Sequence, residues 1–263
     1  MDTIIANGIP LSACAIGQGE TVVMLHGLVS GNMASWYFSL ATPLSASRRI
    51  VLYDQKGHGA SGMATSGYDL EAQAADLGTI IGHYGLDPID GKVDLVGHSM
   101  GALIALHYAL CNPAKVRRLV LVDAPMPARE FIGPSLLQVT SRDALQAYME
   151  EQFRGRPESG GRRQEKLHQR LAALFFESTL VSDVLTMDAV DNTALAALDI
   201  PVFLIYGRYS PCFGAGLHLS RVLPDAQLHI VECGHYIPEE APASLLQGVR
   251  EFFAKELMVN GQE

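Results

Sequence analysis

The residue best equipped for chemistry in this sequence is Ser99. It is the centre of Gly97-His98-Ser99-Met100-Gly101, within "DLVGHSMGALIAL", where an apolar strand pattern runs straight into a helix pattern. A serine on so sharp a turn must take a strained backbone conformation, and glycines two residues to either side remove side chains that would collide there. Ser99 Oγ is then presented at the end of a strand. The start of the following helix brings a positive dipole end and free N–H groups, which favour negative charge developing on an attacked carbonyl, with Met100 N–H as one donor. The chemistry such a serine could do is acyl transfer. A serine hydroxyl is a weak nucleophile at neutral pH, so it needs an imidazole of pKa about 7 within hydrogen-bond reach to take its proton.

The elements that must position this serine can be read from the apolar patterning. Short β-branched runs stand at "TVVMLHG" (21–27), "RRIVLYDQ" (48–55), "KVDLVGHS" (92–99), "RRLVLVDA" (117–124), "IPVFLIYG" (200–207) and "AQLHIVEC" (226–233). Continuous apolar runs of this kind predict parallel strands covered on both faces, with crossover helices from Leu70 to Tyr84, Ala102 to Cys111 and Ala243 to Leu257. Residues 2–16 alternate around "NGIP" and predict an antiparallel hairpin at the sheet edge. Between Pro125 and Asp199 the rhythm breaks into helix-rich sequence such as "SRDALQAYMEEQF" and "QEKLHQRLAALFFESTL". An insertion there would lie above the C-terminal strand ends and shape a pocket, where open α/β sheets bind ligands.

Composition narrows the function classes. In 263 residues, 48% are hydrophobic and 18% charged, as in a globular chain with a sizeable core, here one domain with an insertion. A formal charge of −9 would repel nucleic acid and anionic membrane surfaces, so neither is an expected partner. Cys14, Cys111, Cys212 and Cys233 are scattered without a CxxC pair or metal-ligand spacing, and "MDTIIANGIP" lacks the basic and apolar regions of a signal peptide. No apolar run reaches the roughly 18 residues of a membrane span. A soluble cytoplasmic protein with reduced thiols is expected.

These segments resemble the α/β-hydrolase superfamily across almost the whole chain. "LHG" at 25–27 follows the third strand, and "YDQKGHGASG" at 53–62 looks like the family's D-x-R-G-x-G-x-S stretch, with Lys56 where Arg is usual. The resemblance implies an α/β fold with a mostly parallel eight-stranded sheet flanked by helices, a core of residues 1–124 and 200–263, and a helical lid insertion at 125–199. It implies that Leu28, the residue after His-Gly, supplies a second oxyanion N–H beside Met100, with His26 and Gly27 supporting that loop and Gly97 and Gly101 the elbow. It also implies that His235, in "ECGHYIPEEAPASL", is the base, since the family keeps its catalytic histidine between the last strand and the final helix. His98 is expected to be a pocket-wall or support residue. His58, His83, His107, His168, His218 and His229 are given surface or packing explanations.

The third member of the triad departs from the family's pattern. The family carries its acid as G-x-x-D after "PVFLIYG", and here Ser210 stands in that place. A hydroxyl cannot stabilise an imidazolium as a carboxylate does. Some members carry the acid after the sixth strand, where this sequence has Asp123, which is the expected acid; Glu130, Asp188 and Asp191 in the insertion are the alternatives. The reaction implied is cleavage of an ester or thioester through an acyl-Ser99 intermediate, on a small-molecule acyl group free or attached to an acyl carrier protein or coenzyme A. It calls for no cofactor and no metal. Leu137, Phe153, Leu174, Phe175 and Phe176 would either line an acyl pocket or form the insertion's own core. The alternative activity is a lyase, cyclase or C–C bond hydrolase using the same Ser99 and His235.

Overall fold

The computed structural model describes residues 1–29, 31–85, 87, 90–152 and 161–255. The continuous apolar runs form β3 (Thr21–Leu25), β4 (Arg49–Tyr53), β5 (Val93–His98), β6 (Val116–Val122), β7 (Val202–Gly207) and β8 (Ala226–Val231). Alternate residues along them feed two separate cores. Val23, Leu25, Leu95, Leu119 and Leu121 pack under the helices Leu70–Tyr84 and Met100–Cys111, while Val22, Met24, Val96, Val120 and Val122 pack with the C-terminal helix Pro242–Ala254. Both sheet faces are therefore covered, which is why the strands read as unbroken apolar runs.

The hairpin of β1 (Asp2–Ala6) and β2 (Ile9–Ile16) closes the edge, and the strand order is β1-β2-β4-β3-β5-β6-β7-β8. β1, β2 and β4 pair antiparallel; every pairing from β4 through β3 to β8 is parallel. Asn7 and Gly8 join β1 to β2 with φ of 49° and 79°, the left-handed pair that a two-residue type I′ turn requires. β3, β5 and β6 end one to two residues sooner than their apolar runs because the chain turns out of the sheet at His26, Ser99 and Asp123. The elbow helix begins at Met100, two residues before the expected Ala102, and the C-terminal helix ends at Ala254, with Leu257 outside the described residues.

Between β6 and β7 the described residues hold no strand but a series of helices, the longest being Arg142–Gln152 and Arg162–Phe176. Leu145, Met149, Leu171, Leu174 and Phe175 of this insertion are buried and join the same apolar cluster as Leu95 and Leu121 of the sheet. No helix among the described residues is long and apolar enough to cross a membrane.

Opposite the strand ends that carry Ser99 and Asp123, the sheet is tied to the C-terminal helix by charge. Asp94 of β5 is fully buried and receives two bonds from Arg118 of β6 at 3.0 and 2.8 Å and one from Arg48 at 3.2 Å. Both guanidinium groups stack over the Phe253 ring, 4.4 and 4.8 Å from its centroid, and both donate to the Phe253 carbonyl. Burial raises the Asp94 pKa against the pull of the arginines, so its partners are needed to keep it charged. Arg117 also pairs with Asp94 at 3.4 Å, and the partly exposed Glu20 pairs with Arg48 and Arg118, so removing Asp94 takes away the buried anion and leaves Arg48 and Arg118 to the outer acid. Asp94→Ala is expected to lose about 3 to 5 kcal/mol of stability in urea unfolding; a loss under about 1 kcal/mol would show the network to be dispensable.

Candidate active site

Ser99 takes φ 53° and ψ −123°, a combination that costs a residue with a Cβ and persists only where its surroundings enforce it. The enforcement is backbone to backbone. Ser99 N–H donates to Val122 O at 2.9 Å, and Ser99 O accepts from Ala102 N–H at 2.9 Å as the elbow helix starts. A Cβ on Gly97 would lie 2.4 Å from Gly101 O, and one on Gly101 would lie 2.5 Å from both Leu25 O and His26 O. Only glycine fits at either place.

The sheet brings Ser99, His235 and Asp123 together. His235 Nε2 stands 3.0 Å from Ser99 Oγ, and His235 Nδ1 stands 2.6 Å from Asp123 Oδ2. A carboxylate only accepts, so Nδ1 carries the proton and Nε2 is left to accept from the Ser99 hydroxyl. Asp123 is fully buried with φ 50°, its N–H bonded to Ile205 O at 2.8 Å and its Oδ1 held by Gly207 N–H at 2.9 Å. The Ser210 hydroxyl donates to Oδ2 of the same carboxylate. Ser210, in the position where the family usually carries its acid, thus touches Asp123. Glu130, Asp188 and Asp191 are exposed; Asp188 pairs with Arg129 at 2.5 Å, and Asp191 precedes the helix Asn192–Ala196.

Two buried histidines fasten the loop after β3. His26 Nε2 accepts from Gln55 N–H at 3.0 Å while its Nδ1 bonds Gly27 O at 2.8 Å; His58 Nε2 accepts from Val29 N–H at 3.2 Å while its Nδ1 bonds Lys56 O at 3.0 Å. Each ring must be neutral to accept at Nε2. Burial pushes His26 down to about 4, and burial with the neighbouring His26 pushes His58 down to about 3. Val29 is held at φ 66°, so the loop carrying Gly27 and Leu28 is strained as well as pinned. Asp54 and Lys56 brace the next layer: Asp54 accepts from Met33 and Ala60 N–H at 2.7 Å each, and Lys56 pairs with Asp76 at 2.7 Å. His98 Nε2 bonds the His235 carbonyl at 2.9 Å, linking the elbow to the loop that carries His235.

Ser99, His235, Gly27, Leu28 and His98 line one cavity of about 270 Å³, closed on the insertion side by Phe131, Ile132, Ser135 and Tyr148. Leu174 and Phe175 are buried in the core instead, with Phe175 packed edge-on behind Tyr148 at 5.6 Å; Leu137 and Phe176 are exposed, and Phe153 lies outside the described residues. Cys212 also lines the cavity, its Sγ 3.8 Å from His235 Nδ1. Burial, with the Asp123 charge second, drives the Cys212 thiol pKa up, so it stays protonated and offers no competing nucleophile. Sequence reading missed His58, Ser210, Cys212 and Tyr148 as members of the site; for His58 the flanking Gly57 and Gly59 were the available signal.

The alpha/beta hydrolase family model matches residues 22–247. The chain belongs to this family. It is 31% identical over 252 residues, 84% of this chain and 82% of the other, to a 2-hydroxy-6-oxononadienedioate/2-hydroxy-6-oxononatrienedioate hydrolase of Dechloromonas aromatica. It is 30% identical over 233 residues, 81% of this chain and 86% of the other, to the pimeloyl-[acyl-carrier protein] methyl ester esterase of Chromobacterium violaceum. A thermophilic esterase from Thermogutta terrifontis superposes with a TM-score of 0.75 at 23% identity, covering 97% of this chain and 98% of that one, a likeness of fold. As an alpha/beta hydrolase, the chain carries its strained serine at the end of β5 and its strained aspartate at the end of the adjacent β6.

The two neutral histidines couple the loop after β3 to pH. Their folded values lie below the ordinary 6.5, so folding excludes protons, and stability is full above about pH 6.5 and falls as pH drops toward 4. At pH 5 each histidine forfeits about 2 kcal/mol. The thermal midpoint is expected to drop between pH 7 and pH 5, and His58→Gln, which keeps an acceptor for Val29 and does not titrate, should flatten that drop. Parallel pH curves for the two proteins would refute the coupling.

Proposed function

We propose that this alpha/beta hydrolase cleaves a carboxylic ester or thioester through an acyl-Ser99 intermediate. The observation that carries the reading is the unbroken contact from Ser99 Oγ to His235 Nε2 at 3.0 Å and from His235 Nδ1 to Asp123 at 2.6 Å. Ser99 Oγ attacks the carbonyl carbon as His235 Nε2 takes its proton, and Asp123 stabilises the imidazolium. Leu28 and Met100 N–H groups hold the oxyanion, each worth about 10² to 10³ in rate by analogy with other such donors. The carbonyl re-forms and expels the alcohol or thiol, which leaves with the proton from His235. Water then attacks the acyl-enzyme, again giving its proton to His235, which returns it to Ser99 as the acid departs. No step draws on a metal or a cofactor.

The insertion at 125–199 serves as the lid of this site, because Phe131, Ile132, Ser135 and Tyr148 form the far wall of the cavity that holds Ser99. A cavity of about 270 Å³ suits a small to medium acyl group. Among the described lining residues there is no lysine or arginine, which favours an acyl chain without a terminal carboxylate. A thioester on coenzyme A or on an acyl carrier protein is a natural form of such a substrate, and the methyl ester esterase relative is named for an acyl-carrier substrate. We place the protein in the cytoplasm, where Cys14, Cys111, Cys212 and Cys233 would remain the free thiols they are in the fold.

A second reading, hydrolysis of a C–C bond next to a carbonyl, draws on the dienedioate hydrolase relative. There the same residues would act, with the proton delivered to a carbon leaving group. p-Nitrophenyl esters and acyl thioesters of increasing chain length separate the two readings. Turnover of the esters is expected, abolished in Ser99→Ala and cut by about 10³ to 10⁴ in Asp123→Asn with the fold intact. Inert esters beside turnover of a vinylogous diketone would transfer the function to the second reading.

A further inference from the structure

A short relay of hydrogen bonds converges on Asp123 from the loop after β7. Cys212 N–H donates to Ser210 Oγ at 3.0 Å, the Ser210 hydroxyl donates to Asp123 Oδ2, and that same oxygen accepts His235 Nδ1–H at 2.6 Å. The direction of the relay is fixed. A carboxylate can only accept, and the backbone amide can only donate, so the hydroxyl hydrogen has one place to point. Ser210 is 7% exposed and Asp123 fully buried, so solvent makes little of this contact and the carboxylate depends on protein donors. Gly207 N–H holds Oδ1; Ser210 and His235 divide Oδ2 between them.

We infer that Ser210 is a positioning residue of the hydrolytic site: its hydroxyl fixes Asp123 Oδ2 against His235 and draws off part of that oxygen's charge. The inference rests on the Ser99, His235 and Asp123 reading above. Removing the hydroxyl does two things. It frees the carboxylate to swing about the Gly207 contact, and it concentrates charge on the oxygen facing the imidazole, which favours the protonated ring. A base that holds its proton at higher pH is inactive over a wider acidic range.

The experiment compares wild type, Ser210→Ala and Asp123→Asn on one ester, reading kcat, KM, the pH profile of kcat/KM and the thermal midpoint. Ser210→Ala is expected to lower kcat about tenfold with KM held, the loss of one hydrogen bond, and to move the acidic limb of the profile to higher pH. A Ser210→Ala protein with wild-type kcat and an unmoved acidic limb would overturn the positioning role. Near-native turnover in Asp123→Asn would instead remove Asp123 as the acid and Ser210's role with it, a failure of the triad reading visible before Ser210 is touched.

Discussion

The site depends on hydrogen-bond register between neighbouring parallel strands. β5 pairs with β6 so that His98 faces Val122, and β6 with β7 so that Val122 faces Ile205. The next residue on each strand leaves the sheet: Ser99 bonds back to Val122 O at 2.9 Å, and Asp123 bonds back to Ile205 O at 2.8 Å. Both take positive φ, near 50°. A ladder continued by one residue would instead lay each side chain across a sheet face. Leaving the ladder at the same level on adjacent strands puts hydroxyl and carboxylate on either side of the loop from β8, where His235 fits between them. Strain at two non-glycine residues is thus bound to the strongest long-range constraint in the molecule, the parallel sheet and its two cores.

The loop after β3 obeys a different logic. Nothing in the sheet's register dictates its path, and it is held by side chains: His26 and His58 each accept a backbone N–H and each bond a backbone oxygen. Such rings must be neutral, and burial keeps them so. A lysine or glutamine in those places could not join donor to acceptor with the same rigid geometry. The stretch Asp54 to Ser61 therefore belongs to the site although none of its residues lines the cavity, since it fixes where Val29, and with it Leu28, must lie.

What the sequence made legible follows from range. Ser99 was legible because everything that shapes its turn lies within a few residues, in the strand pattern, the two glycines and the helix pattern. The six buried strands and the edge hairpin were legible because periodicity and the Asn7-Gly8 turn are local. That Asp123 lies against His235 while Glu130, Asp188 and Asp191 are exposed could be anticipated only through the gap at Ser210 and the family resemblance, because strand order sets those placements. The insertion was legible as helical and illegible in its facing. Leu174 and Phe175 look as ready for a pocket as for a core, and the packing of Arg162–Phe176 against the sheet's own cluster turns them inward, leaving Tyr148 and Phe131 as the wall. His58 and Ser210 act through partners 29 and 87 residues away, a distance at which residue type alone carries no signal.

A buried carboxylate at the end of β6, with a hydroxyl in the loop after β7, redistributes what each segment must do. At the end of β6 the Asp123 backbone is fixed by its bond to Ile205 O, while its buried carboxylate is held by Gly207 N–H and the Ser210 hydroxyl. The loop from Arg208 to Phe213 is then relieved of carrying the acid and can serve the cavity, where Pro211 and Cys212 form part of the lining. It is not released altogether, because Ser210 still reaches Asp123 and Cys212 N–H still reaches Ser210. A change in that loop that reshaped the pocket would therefore be felt at Oδ2 of the acid. On the proposed mechanism, pocket shape and the strength of His235 as a base meet at the Ser210 hydroxyl, so substitutions along this loop should alter substrate preference and pH dependence together rather than separately.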